Sequence, residues 1–295
     1  MILEKIDVMM FKQHLEDKGL SSKTVGCYFQ VVNDFTNKDP KMDDVQSYND
    51  YLIEKSLKQG KRNYMAQYAF KAFIEYKFGK GSGLLKNLIK VRAKSRKTPR
   101  VYLTLKKRVE VISGLEEIKH QVIALIQMWT GARVGDILRC VEGCISIDES
   151  EGAALKIDVV GKGDKPYTVF IHDEYSIKLI TRYIDSHFGK NSIMPYLFLE
   201  SSTYRGSTTK ESTLLLTNYN RYLDDLKHSL ANANIPIESF ATHDFRRNIA
   251  TDVYQKHKDV MILKSFLHHK NVETSLKYIS DSGIDIKQVS ADLYK

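Results

Sequence analysis

The chain has 295 residues, with 45 Lys and Arg against 36 Asp and Glu, a formal net charge of +9. Its 42% hydrophobic content and only five prolines exclude wholesale disorder, and the length predicts roughly two domains with a preference for a polyanionic partner. Three cysteines (Cys27, Cys140, Cys144), a charged Met1–Met10 segment and no long uncharged apolar run argue against a disulfide scaffold, a signal peptide and a membrane span, so a soluble cytoplasmic protein is expected.

Residues 1–82 read as a helical domain. Ile6, Met9, Met10 and Leu15 give a helical stripe that Gly19 ends. Ser21 or Ser22 starts a second helix, with Val25, Tyr28, Val32 and Phe35 on one face. A third helix is expected from Asp43 to Ser56, and a fourth after Gly60, where Tyr64, Tyr68, Phe70, Phe73 and Tyr76 supply aromatic faces.

Residues 83–102 read as a basic interdomain linker. The first 100 residues hold 20 basic and 11 acidic side chains, whereas residues 101–295 hold 25 of each. Between Tyr76 and Val109 there are twelve Lys or Arg and no acid. Such a run is either a linker kept soluble by charge or a strap along phosphates, and a merely soluble linker usually mixes signs.

Residues 103–295 form the second expected domain, opening at Thr104 as an N-cap. Gln121–Trp129 is apolar almost all round and predicts a buried helix. Leu155, Ile157 and Val159 alternate, as do Tyr167, Val169 and Ile171, so 161–166 (Gly-Lys-Gly-Asp-Lys-Pro) predicts the tip of a β-hairpin. Beyond His172 the pattern is largely helical. The fold class is therefore mainly α with a small antiparallel sheet.

Three segments carry chemistry. Arg133 follows the buried helix and needs an anion, either Asp136 in a structural ion pair or a ligand. In the segment that starts at Thr242, Phe245, Ile249 and Val253 form a core stripe. His243 and Arg246 share another face, which fits an ordinary helix capped by Thr242 or a helix start that receives a phosphate. His268 and His269 are adjacent, so they point about 100° apart on a helix and make a poor metal pair.

In order, Arg133, Lys162, His243-x-x-Arg246, His269 and Tyr278 resemble the active-site series of the tyrosine recombinases, or phage-type integrases. Thr130-Gly131-Ala132-Arg133 stands where the family has Thr-Gly-Leu-Arg, Phe245 replaces a leucine, and His268 replaces the usual glycine. His269 is chosen over His268 because it keeps the family's nine-residue spacing to Tyr278. Lys18–Thr24 and Pro99–Thr104 also look like the family's domain starts, and the chain length most resembles the simple Xer-type site-specific recombinases.

The resemblance implies a two-domain C-shaped clamp: a helical core-binding (SAM-like) domain and a mixed α/β catalytic domain with a C-terminal tail. It implies strand cleavage and rejoining through a 3′-phosphotyrosine, for DNA integration, excision or chromosome dimer resolution. Tyr278 would be the nucleophile, Arg133 and Arg246 the phosphate clamp, His243 its proton partner, His269 a hydrogen-bond donor to phosphate, and Lys162 (or Lys165) the acid at the departing 5′-oxygen. No cofactor or metal is required. The implied partners are a double-stranded recombination site and further copies of the chain, dimer to tetramer on DNA, with accessory proteins open and no membrane. Expected DNA contacts are Lys23, Tyr28, Lys61, Arg62 and Tyr64, with Lys94, Arg96 and Lys97 in the strap. A tail helix carrying Ile284, Ile286, Val289 and Leu293 would dock on a neighbour or on its own domain. The competing readings are a type IB topoisomerase-like activity and a DNA-binding protein without catalysis.

Overall fold

The computed structural model describes residues 2–59, 64–89, 100–141, 143–150, 152–161, 164–188, 196–198 and 211–279. The chain divides into two compact units, Met1–Lys97 and Thr98–Lys295.

The first unit contains α1 (Ile2–Asp17), α2 (Ser22–Thr36), α3 (Val45–Gln59), α4 (Tyr64–Phe78) and α5 (Gly83–Asn87). Gly19 ends α1 with φ +70°, a left-handed turn that side chains rarely adopt. Ser21 caps α2, its hydroxyl accepting from the Thr24 amide. The core is Val8, Phe11 and Leu15 from α1, Val25, Val32 and Phe35 from α2, Tyr48, Tyr51 and Leu52 from α3, and Phe70, Phe73 and Ile74 from α4. Phe35 and Phe70 meet edge to face at 4.8 Å, a geometry that suits the charge distribution of aromatic rings.

Two expectations change here. Met9 and Met10 are exposed, because Val8, Phe11 and Leu15 define the buried stripe instead. Residues 83–89, expected in the linker, belong to the first unit: Leu84, Leu85, Leu88 and Ile89 pack on its core, and Asn49 and Gln67 hydrogen-bond the backbone at Asn87 and Ile89.

The second unit opens with α6 (Leu105–Ser113), capped by Thr104, and α7 (Ile118–Thr130). Helix α7 is buried along nearly its whole length and packs against α6, α9 (Glu174–Phe188), α11 (Thr242–His257) and the sheet. After a short α8 (Val134–Ile137) comes an antiparallel sheet in the order β1 (Ile145–Asp148), β2 (Ala154–Gly161), β3 (Lys165–Ile171). The expected hairpin is β2–β3, with Gly161 opposite Lys165. Strand β1 was not visible in the sequence: its four residues show no buried alternation, and pairing with β2 makes it a strand. Helix α10 (Glu211–Asn232), a 3₁₀ turn at Ile237–Ser239, α11, α12 (Val260–Phe266) and α13 (Val272–Ile279) complete the unit. Among the described residues no helix is long and apolar enough to cross a membrane.

Candidate active site

Three segments of the second unit converge: the end of α7, the first turns of α11, and the α12–α13 region. Gly131 closes α7 at φ +66°, which turns the chain so that Arg133 is the N-cap residue of α8. The start of α11 is fixed from inside by polar contacts. Tyr222 of α10 donates to Gln127 Oε1 of α7 (3.0 Å), and Gln127 Nε2 donates to the Thr242 carbonyl (3.2 Å). The cap is Ala241, not Thr242: Asp244 Oδ2 accepts the Ala241 amide at 2.7 Å, leaving Thr242 buried as the first helical residue.

Tyr278 lies in a small apolar cluster with Ala250, Leu263 and Leu267. Its hydroxyl is 3.1 Å from His243 Nε2, and its ring stacks on His269 with centroids 5.6 Å apart. Partial desolvation, then the charges of Arg246, Arg133 and Arg247, lower the His243 pKa to about 4. The imidazole is thus neutral at pH 7 and its Nε2 can accept the phenolic proton. His243 keeps solvent contact.

Arg246 lies on the same side of α11 as His243, toward the α12–α13 region. It is only 2% exposed, with Nη1 donating to the Gly131 carbonyl and Nη2 to the Leu267 carbonyl (2.6 Å) and His269 Nε2 (2.9 Å). Helices α12 and α13 pack on α11 as α7 does, so more of α11 is covered than the Phe245 stripe alone. Burial first, and then Arg133, push its pKa below the ordinary guanidinium value.

Because arginine offers only donors, His269 Nε2 is an acceptor and Nδ1 carries the proton, which goes to Ser275 Oγ at 2.8 Å. Desolvation and the nearby cations lower the His269 pKa to about 4. His269 therefore holds Arg246 in this structure, where the sequence led us to expect a donor free for phosphate. Arg133 is half-exposed, 3.5 Å from Asp136 Oδ2. The same carboxylate accepts from Arg139 (2.7 Å) and from the Tyr167 hydroxyl (3.0 Å).

Arg133, His243, Arg246, His269 and Tyr278 are thus brought together, and the neighbouring His268 places its ring against Tyr167. Lys162 lies outside the described residues, as do Lys61, Arg62, Lys94, Arg96, Lys97 and the tail from 280 onward. In the first unit Lys23 is exposed at the start of α2, Tyr28 is half-buried against the core, and Tyr64 is exposed at the start of α4. Sequence reasoning passed over Ser275 and Tyr167. Ser275 is three residues before Tyr278 on α13, a spacing that places both on one side of the helix, and Tyr167 stood out only as a strand residue.

The sequence profile of the Phage integrase family matches residues 91–283. Tyrosine recombinase XerC of Caldanaerobacter subterraneus subsp. tengcongensis is 25% identical over 226 residues, covering 73% of this chain; the chain spans 58% of that relative's length. Among solved structures, the Tn1549 transposon integrase (residues 82–397) in complex with circular intermediate DNA gives a TM-score of 0.63 at 13% identity, over 98% of this chain and 99% of that one. A lambda integrase tetramer bound to a Holliday junction gives 0.61 at 15% identity, over 90% and 77%. At these identities the structural matches establish a shared fold.

Proposed function

The chain belongs to the phage integrase family, and from that premise we propose that it is a site-specific tyrosine recombinase that cuts and rejoins DNA through a 3′-phosphotyrosine. The observation that carries this reading is the Tyr278 hydroxyl 3.1 Å from a neutral His243 Nε2, beside two arginines.

The Tyr278 oxygen attacks the scissile phosphorus and its proton passes to His243 Nε2. The P–O5′ bond breaks as the Tyr–O–P bond forms, and the 5′-oxygen leaves with a proton from a hairpin lysine, Lys162 or Lys165. Arg133 meets the developing charge from the solvent side, and Arg246 holds a fixed cation beneath it. Bond energy stays in the phosphodiester, so a second strand's 5′-hydroxyl reverses each step and reseals the DNA. Exchange between two duplexes uses four tyrosines, hence four copies of the chain on DNA. The helical unit of residues 1–89 and the basic run beyond it would supply sequence-independent phosphate contacts.

A pool of nicked duplexes with randomised sequence tests this. Wild type should form a denaturant-resistant protein–DNA adduct, and sequencing the trapped DNA identifies the site. Tyr278→Phe should bind that DNA and form no adduct; an adduct from this variant refutes the nucleophile. Paired sites should then exchange flanks, whereas supercoil relaxation without exchange would assign the topoisomerase reading.

A further inference from the structure

Tyr167 joins three parts of the site that the sequence separates. Its hydroxyl donates to Asp136, the carboxylate beside Arg133. Its ring lies against Gly161: a Cβ there would sit 3.0 Å from Tyr167 Cε1 and 3.3 Å from the Lys165 carbonyl. Glycine at 161 thus lets the ring rest on the hairpin backbone immediately before Lys162. The ring also packs against His268, tilted by 35° with centroids 4.5 Å apart.

His268 is exposed and lies at φ +52°, a region costly for side chains other than glycine. It makes no hydrogen bond to Tyr278 or Arg246 among the described interactions, although partial burial and the charges of Arg246 and Arg133 lower its pKa. Its direct ring contact is with Tyr167. The next residue, His269, is bonded to Arg246.

We propose that Tyr167 and His268 are positioning residues that clasp the β2–β3 hairpin to the loop between α12 and α13, so that Lys165, the first residue of β3, meets the leaving 5′-oxygen as Tyr278 attacks. This rests on the strand-cleavage reading above. The ring of Tyr167 transmits the register in three directions: to Arg133 through Asp136, to Lys165 through its strand partner Gly161, and to the loop before the nucleophile's helix through His268. Loss of this ring contact should slow protonation of the leaving group while leaving nucleophile and phosphate clamp in place.

His268→Gly separates this role from a structural one, because it relieves the strained backbone and removes the ring. The probe is the nicked duplex recovered from the randomised pool, made with either oxygen or sulfur bridging the scissile phosphorus and the 5′-carbon. A sulfur leaves as thiolate, which needs no general acid, since thiols ionise near about 8.5. With oxygen, His268→Gly should form adduct about threefold to tenfold more slowly, the range an aromatic pair is worth. Its melting temperature should equal or exceed wild type, sulfur should restore the rate, and His268→Phe should retain it.

An unchanged rate with oxygen, or an equal loss with sulfur, overturns the clasp. The Lys162→Ala, Lys165→Ala double variant is the control. If sulfur does not rescue it, the hairpin supplies no proton and the clasp loses its purpose; if wild type forms no adduct from any duplex, the cleavage reading itself fails and the clasp with it.

Discussion

Gly131→Ala should destabilise the second unit and disarm the site together. At φ +66° an alanine pays the left-handed penalty of about 1–2 kcal/mol. Its Cβ would lie 2.9 Å from Leu267 Cδ2, closer than side chains tolerate, and 3.1 Å from Ile249 Cγ2, which would have to shift by a few tenths of an ångström. Leu267 is buried and cannot swing away, so overpacking adds about 1–3 kcal/mol. The combined loss, roughly 2–5 kcal/mol, should lower the melting temperature by about 5–15 °C for a unit of this size. Most molecules stay folded at 25 °C. The Gly131 carbonyl also accepts from Arg246, which in turn holds His269. Adduct formation at 25 °C should therefore fall on the order of 10²-fold, the scale of a 1 Å misplacement. Differential scanning fluorimetry and a single-turnover adduct assay measure the two effects. Gly135→Ala is the stability control, because its Cβ meets nothing within 4 Å. A melting temperature within about 1 °C of wild type, or a destabilised variant that cleaves at full rate, would refute the reasoning.

Acid should weaken the second unit through His269. Its folded pKa of about 4 lies below the ordinary 6.5, so the unfolded chain takes up the proton first. Stability from this group is full above pH 6.5 and is lost as pH falls toward 4, by at most about 3 kcal/mol; urea unfolding at pH 7.5, 6 and 5 should show the slope, and His269→Asn should reduce it without abolishing it, because His243 is lowered in the same way. The acid limb of kcat/KM for cleavage should likewise fall below the usual histidine range, because His243 is also near 4 before DNA binds. Asp252→Ala should cost about 3–5 kcal/mol in urea unfolding, since Arg108 is 2% exposed and Asp252 is its hydrogen-bonded partner at 2.5 Å. Arg108→Met in the same chain should recover much of that loss; no recovery would mean that the buried cation is not the cause.

Local physical rules made much of this chain legible. Ser21 and Gly19 marked helix ends because a hydroxyl satisfies an orphan amide and glycine accepts a left-handed φ. The alternation at Leu155, Ile157 and Val159 gave β2 because successive strand residues point to opposite faces. The spacing to Tyr278 separated His269 from His268, and the structure stacks His269, not His268, on the tyrosine. By contrast, β1 lacked a pattern of its own, since a short strand with no buried alternation exists through its partner.

The sequence by itself determined which residues share a face, where elements begin and end, and which side chains are chemically able to act. Only the tertiary structure decided which faces are covered and what each polar group meets. Arg246 shows the difference. Helical spacing set it apart from the Phe245 stripe, yet α12 and α13 close over it and direct its donors to Gly131, Leu267 and His269. Periodicity is a property of one helix, whereas burial and hydrogen-bond partners depend on segments far along the chain that pack against it.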